Sequence, residues 1–136
     1  MKLTGVDVFD ATIDRTTAWL QDLMRELNWT DRRKTYFALR FVLQGLRDHM
    51  SFESAVRFGN QLPMLVRGLY FEDWLPADKP LAWEPGQGLL APDAAVIVRA
   101  VFRLLERKAV EGEVKDLRNV LPARLESLWP SEIRAA

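Results

Sequence analysis

The sequence predicts an all-α fold, a compact bundle of about six to seven helices. Three observations predict it. Apolar residues recur at three- and four-residue steps through much of the chain, the mark of helices with one buried face. Serine, threonine and aspartate stand where those runs begin, and prolines stand where they break, which is the chemistry of helix starts and stops. Finally, the chain overlays itself without a gap at a shift of 59, residues 38–70 falling on 97–129.

The first helix is expected over 12–27, with Ile13, Ala18, Trp19, Leu20, Leu23, Met24 and Leu27 inward and Asp10 or Thr12 as its cap. After Asn28-Trp29, Thr30 or Asp31 opens a second helix, 31–50. Its apolar residues, among them Phe37, Leu39, Phe41, Val42, Leu43 and Leu46, cover most of its circumference, and Arg33, Arg40, Gln44 and Arg47 form one polar strip. That pattern predicts a central helix with a solvated strip. Ser51 caps a third helix over 52–62 with Phe52, Ala55, Phe58, Gly59 and Leu62 inward. Pro63 ends it, because proline has no N–H to give, and serves as first residue of the next helix. Gly68 permits a close helix crossing there or loosens the last turn.

Residues 72–92 contain four of the seven prolines and two of the seven glycines, which predicts a long irregular connection. Helix resumes over about 92–109, followed by short helices near 111–121 and 123–129.

In the self-overlay seven of 33 pairs are identical, and the pattern agrees beyond identity. Leu39, Val42 and Leu46 fall on Val98, Val101 and Leu105. Ala55, Phe58 and Leu62 fall on Val114, Leu117 and Leu121. Pro63 falls on Pro122, Tyr70 on Trp129, and the polar strip on Arg99, Arg103 and Glu106. The expectation is two pseudo-symmetric units with proline corners, packed face to face because neither can bury its apolar side alone.

At 136 residues the chain suits a single domain, 1–136, with a radius of gyration of roughly 14 Å. Nineteen basic residues balance 19 acidic ones, so no global field favours nucleic acid or an anionic membrane. With no cysteine there are no disulfides, thiolate metal sites or cysteine nucleophiles. Asp7 and Asp10 interrupt what a signal peptide would need, and Arg99 and Arg103 cut the apolar stretch at 94–105, so the expected location is cytoplasmic, without a membrane span.

WLQDLMRELNW, ALRFVLQGLRDHM, QLPMLVRGLYFEDWLP and GEVKDLRNVLPARLESLWP together resemble the bacterial domain-of-unknown-function family 2267 over most of the chain. The resemblance implies an all-helical prokaryotic domain with no assigned activity, cofactor or catalytic residue. It also implies an acidic amphipathic helix between Asp78 and Asp93, where this chain has KPLAWEPGQGLLAP.

No catalytic constellation emerges. His49 is the only histidine, so a histidine pair cannot anchor a metal, and its place at a helix end suits an imidazolium near the dipole. Glu111 with Glu113, and Glu72 with Asp73, are acids at helix starts or in a loop. PGQG at 85–88 lacks the lysine and serine of a phosphate loop. The expectation is therefore no enzyme, cofactor or metal. Arg33, Lys34, Arg40 and Arg47 could line a basic strip for nucleic acid, and the helices joined at Pro63 mimic a helix-turn-helix. The would-be reading helix, MLVRGLYF, offers only Arg67 to base edges. The aromatics Tyr70, Phe71, Trp74 and Trp83 cluster at the exit of the first unit, where they either cap the core or bind. The leading expectation is a noncatalytic interaction or scaffolding module that binds a protein partner or its own copy, a homodimer included. A nucleic-acid regulator and a small-ligand pocket between the two units are the alternatives.

Overall fold

A computed structural model describes residues 2–76, 79–115 and 117–130. It has six α-helices among them: α1 (Asp7–Leu27), α2 (Arg32–His49), α3 (Phe52–Gly59), α4 (Met64–Phe71), α5 (Ala95–Val110) and α6 (Leu117–Val120). Three 3-10 segments, Gly88–Leu90, Pro92–Ala94 and Ala123–Leu128, complete an all-helical bundle with no strand among the described residues. No helix there is long and apolar enough to cross a membrane.

Helix α1 begins at Asp7, five residues before the expected start. Thr4 explains the difference. Its backbone N and hydroxyl donate to Asp10 Oδ1 at 2.8 and 2.9 Å, and its Oγ1 accepts from Val6 N at 3.1 Å, so the first turn is held from outside. These bonds keep the Asp10 carboxyl below its ordinary value, with burial opposing them. At the other end Asn28 takes the left-handed conformation, φ 55°, and Trp29 N returns to the Met24 carbonyl at 3.0 Å, a Schellman-type stop.

Asp31 caps α2 by accepting from Lys34 N at 3.0 Å. Its Leu39, Val42, Leu43 and Leu46 are fully buried, and it packs against α1, α3, α4 and α5. Two expectations for this helix are overturned. It is not apolar-covered all round, because Phe37 and Phe41 are 49% and 42% exposed. Nor is its polar strip solvated beyond Arg33, because Arg40, Gln44 and Arg47 turn toward the end of α4, whose last carbonyls need donors.

Ser51 caps α3 as expected, but the helix stops at Gly59 and the chain turns through Leu62 into Pro63. Arg67 holds this corner from α4, donating to the carbonyls of Leu62 and Asn60 at 3.0 and 3.3 Å. Pro63 is the N-cap of α4 rather than its first residue. Gly68 makes no close crossing, since a Cβ there would meet nothing. The close approach is at Gly59, where a Cβ would run into the rings of Phe71 and Tyr70.

The acidic helix implied between Asp78 and Asp93 is absent from its described part; two 3-10 turns stand near its end, and Asp78 itself lies outside the described residues. Leu89 from the first of these turns packs on α2 at Gly45, in space that a Cβ would claim. The helix expected over 111–121 shrinks to one turn. Residues 112–114 are used instead to close α5: Gly112 has φ 82°, and the N–H groups of Glu113 and Val114 reach the Lys108 carbonyl. The expected 123–129 helix is 3-10, capped by Pro122.

The core draws on both halves. Leu39, Val42, Leu46, Val98, Val101 and Leu105 are all fully buried, and Ala55, Phe58, Leu62, Val114, Leu117 and Leu121 nearly so. Along one side α1 is tied to α5 by charge. Lys108 Nζ, 3% exposed, lies 2.8 Å from Asp22 and 3.2 Å from Glu111, and Arg107 reaches Glu26 at 3.1 Å. Burial pushes the Asp22 carboxyl up, but the Lys108 hydrogen bond and the charges of Lys108, Arg107 and Arg25 outweigh it and hold it below its ordinary value. Burial pulls Lys108 down, and its bonds to Asp22 and Glu111 raise it further than that.

Candidate functional site

The end of α2, the start of α3 and the exit from α4 converge on an aromatic stack. Phe71 leads into it, half-buried and edge-on to Tyr70 with centroids 4.9 Å apart. Trp74 stacks on Phe71 at 5.6 Å and on Phe52 at 5.7 Å, with interplanar angles of 29° and 19°. Phe52 was expected inward, yet it is 60% exposed. As the first residue of α3 its side chain leans back past the helix start, which carries it off the core and onto the Trp74 ring.

Beside this stack is a half-open groove of about 300 Å³, lined by Arg47, Phe52, Asp73, Trp74, Leu75 and Leu81 among others. Its lips are unusually apolar for surface: Leu75 is 91% exposed and Leu81 57%. Arg47 forms part of the wall and is itself only 6% exposed. Its Nη1 donates to the carbonyls of Tyr70 and Glu72 at 2.7 and 3.0 Å, and its Nε to Asp48 at 2.8 Å. Gln44 completes the set by donating to the Leu69 carbonyl at 2.8 Å. The polar strip of α2 therefore serves as a C-terminal cap for α4.

The connection is fastened to the same corner. Leu81 N donates to the Asp48 carbonyl, and the Leu81 carbonyl faces His49 Nδ1, both at 2.9 Å. A carbonyl can only accept, so Nδ1 carries the proton. The imidazole also stacks on Trp83, centroids 3.9 Å apart and 14° from parallel. His49 is thus a clamp for the connection.

The four expected aromatic residues divide by role. Tyr70 is fully buried, its hydroxyl donating to the Ala55 carbonyl at 2.8 Å, and burial pushes its phenol up. Phe71, Trp74 and Trp83 are half-buried, packed against the core from outside. Only Trp74 lines the groove. Carried past the overlay, the same shift of 59 sets Ile133 opposite Trp74, and Ile133 lies outside the described residues.

The expected basic strip is not assembled. Arg47 is buried, and Arg40 is held by the Tyr36 hydroxyl at 3.1 Å and Glu72 at 3.4 Å. Arg33 and Lys34 remain exposed, resting on the rings of Phe37 and Trp29. Arg67 is exposed, and its Nε and Nη2 already donate to the backbone carbonyls of Leu62 and Asn60. Phe52, Leu75 and Leu81 were not singled out from sequence as surface. The usable signal was the leucine between Trp74 and Pro76, a position where proline bars continued helix.

Fold and site define a class: an all-helical protein with an aromatic-walled surface groove beside a proline-rich connection. No group of three or more histidine, aspartate or glutamate side chains among the described residues is placed to hold a metal. A family model described as "Uncharacterized conserved protein (DUF2267)" matches residues 16–128. The chain belongs to that family. Among curated proteins none matches it.

Proposed function

We propose that this chain is a noncatalytic protein-interaction module of a cytoplasmic bacterial protein, and that the groove beside Trp74 is its binding surface. The observation that carries this reading is a rigid aromatic stack, Phe52 on Trp74 on Phe71, opening between two exposed leucines. Aromatic rings held by their neighbours lose little conformational freedom on binding, which is why they anchor interfaces. The lining charges balance, Arg47 and Lys79 against Asp48 and Asp73. The groove therefore selects for apolar shape, and the fitting occupant is a segment of another protein that seats an apolar side chain against Trp74.

The same reading treats 38–70 and 97–129 as copies of one unit. Pro63 and Pro122 each cap a short helical segment, and the matched core positions are buried in both. The groove beside Trp74 lies at the exit of the first copy.

Affinity capture from source-cell lysate, with and without nuclease, tests the proposal when wild type is compared with Trp74→Ala. The expected result is a nuclease-resistant partner whose affinity drops by about 2 kcal/mol or more in the variant, with the variant still folded by circular dichroism. If Trp74→Ala keeps its partner and merely melts earlier, the aromatic stack is a core cap and the proposal fails. If capture disappears with nuclease and weakens steeply with salt, the nucleic-acid alternative replaces it.

A further inference from the structure

We infer that Arg47 sets the specificity of the groove: its Nη2 donates to a neutral main-chain carbonyl of the peptide whose apolar side chain covers Trp74. This rests on the reading of the groove as the binding surface and adds a polar requirement to it.

The first observation is an incomplete set of hydrogen bonds. A guanidinium offers N–H donors on all three nitrogens and keeps its charge in a protein. In Arg47 the Nε donates to Asp48 at 2.8 Å, and Nη1 donates to the carbonyls of Tyr70 and Glu72 at 2.7 and 3.0 Å. Nη2 has no hydrogen-bond partner among the described residues. Yet the side chain is only 6% exposed. Buried charged donors are ordinarily paired, so this bare nitrogen calls for an acceptor from outside the chain.

The second is where Nη2 lies. Among the described residues, the side-chain polar atoms sealed off without a partner belong to Asp10, Thr16 and Trp129. Nη2 is not one of them, so it keeps access to open space, and the open space beside Arg47 is the groove that it lines. Arg47 Cζ is 5.8 Å from the centre of the Trp74 ring. The donor and the apolar seat are therefore neighbours. Consecutive Cα atoms of a peptide are about 3.8 Å apart, so one short extended segment serves both.

Charge selects the kind of acceptor. The lining sets Arg47 and Lys79 against Asp48 and Asp73. A carboxylate would add a third negative charge beside those two acids, whereas a carbonyl accepts from Nη2 and leaves the balance intact. An occupant made of hydrocarbon alone fares worse still. It would strip water from Nη2 and return nothing, the penalty by which a site built on a hydrogen bond rejects analogues that lack one. The groove thus takes an apolar side chain only when a carbonyl arrives with it.

NMR titration of the wild-type chain with three small probes tests this. N-acetyl-phenylalanine N-methylamide supplies ring and carbonyl, N-acetyl-phenylalanine adds a carboxylate, and toluene supplies the ring alone. The amide is expected to move the Trp74 indole N–H and the Arg47 side-chain N–H signals together. Toluene is expected to bind at Trp74 about tenfold more weakly, and the acid no more tightly than the amide. Arg47→Lys keeps the charge but not the planar fork, and is expected to bind amide and toluene alike. If that variant does not fold, the probe series on wild type decides alone. Toluene binding as tightly as the amide overturns the inference and leaves the groove standing. The acid binding more tightly than the amide overturns the choice of a neutral carbonyl. If none of the three moves Trp74, the groove itself is not a binding surface and the inference falls with it.

Discussion

Helices α2 and α5 overlay at a shift of 59 residues, and their polar strips meet different fates. In α2 the strip is drawn inward: Gln44 and Arg47 donate to the carbonyls of Leu69, Tyr70 and Glu72. In α5 the matching Arg99 and Arg103 are exposed. The cause lies in the neighbour. The first half follows its proline with α4, an α-helix of eight residues, whose final carbonyls lack intrahelical donors. The second half follows Pro122 with a six-residue 3-10 segment. Strips that look alike in sequence are thus sorted into cap and solvated face by what lies across from them.

The largest test of this comparison asks where the halves agree. Leu46→Ala and Leu105→Ala, at equivalent and fully buried positions, should each cost about 2–5 kcal/mol in urea unfolding. Unequal losses would mean that one half dominates the core. The next asks where they differ. Arg47→Ala should cost about 1.5–3 kcal/mol, the range for hydrogen bonds from a charged donor. Arg99→Ala and Arg103→Ala should stay within about 0.5 kcal/mol, as exposed substitutions do. Similar values for Arg47 and Arg103 would erase the distinction.

A third test uses pH and the seam between α1 and α5. The folded Asp22 carboxyl sits below its ordinary 3.8, so its stabilising share is complete above that value and is lost as pH falls through the folded one. Lys108 sits above its ordinary 10.5, so its share is complete below that value and is lost as pH rises past it. Unfolding of Asp22→Asn, followed across the acid range, should therefore show a shallower stability loss than wild type. The smallest effect belongs to Gly68, an open position inside α4. Gly68→Ala should stabilise by about 0.4–1 kcal/mol through helix propensity and a less disordered unfolded chain, read as a small rise in melting temperature.

Much of the fold was legible because burial follows period. The twelve paired positions from Leu39 to Leu121 were readable as core from spacing alone, and Asp31 and Ser51 as caps from their place before apolar runs. What spacing does not carry is distance across the fold. Nothing near Lys108 announces that Asp22, 86 residues away, will neutralise it. Phe52 was misread because a first-turn side chain leans out of its own helix. The strip on α2 was misread because its acceptors are main-chain oxygens, which every residue has and no sequence displays. Of the candidate site, the aromatics were visible, while the groove they wall required the connection to fold back through Leu81 and His49.

Arg47 joins two duties that are usually separate. One guanidinium closes the last turn of α4 and also faces the groove. Anything that fills the groove shields that guanidinium from water and makes the final turn of α4 harder to open. Occupancy is thereby converted into local rigidity one helix away, and the amide protons near Tyr70 would exchange more slowly in the bound protein than in the free one.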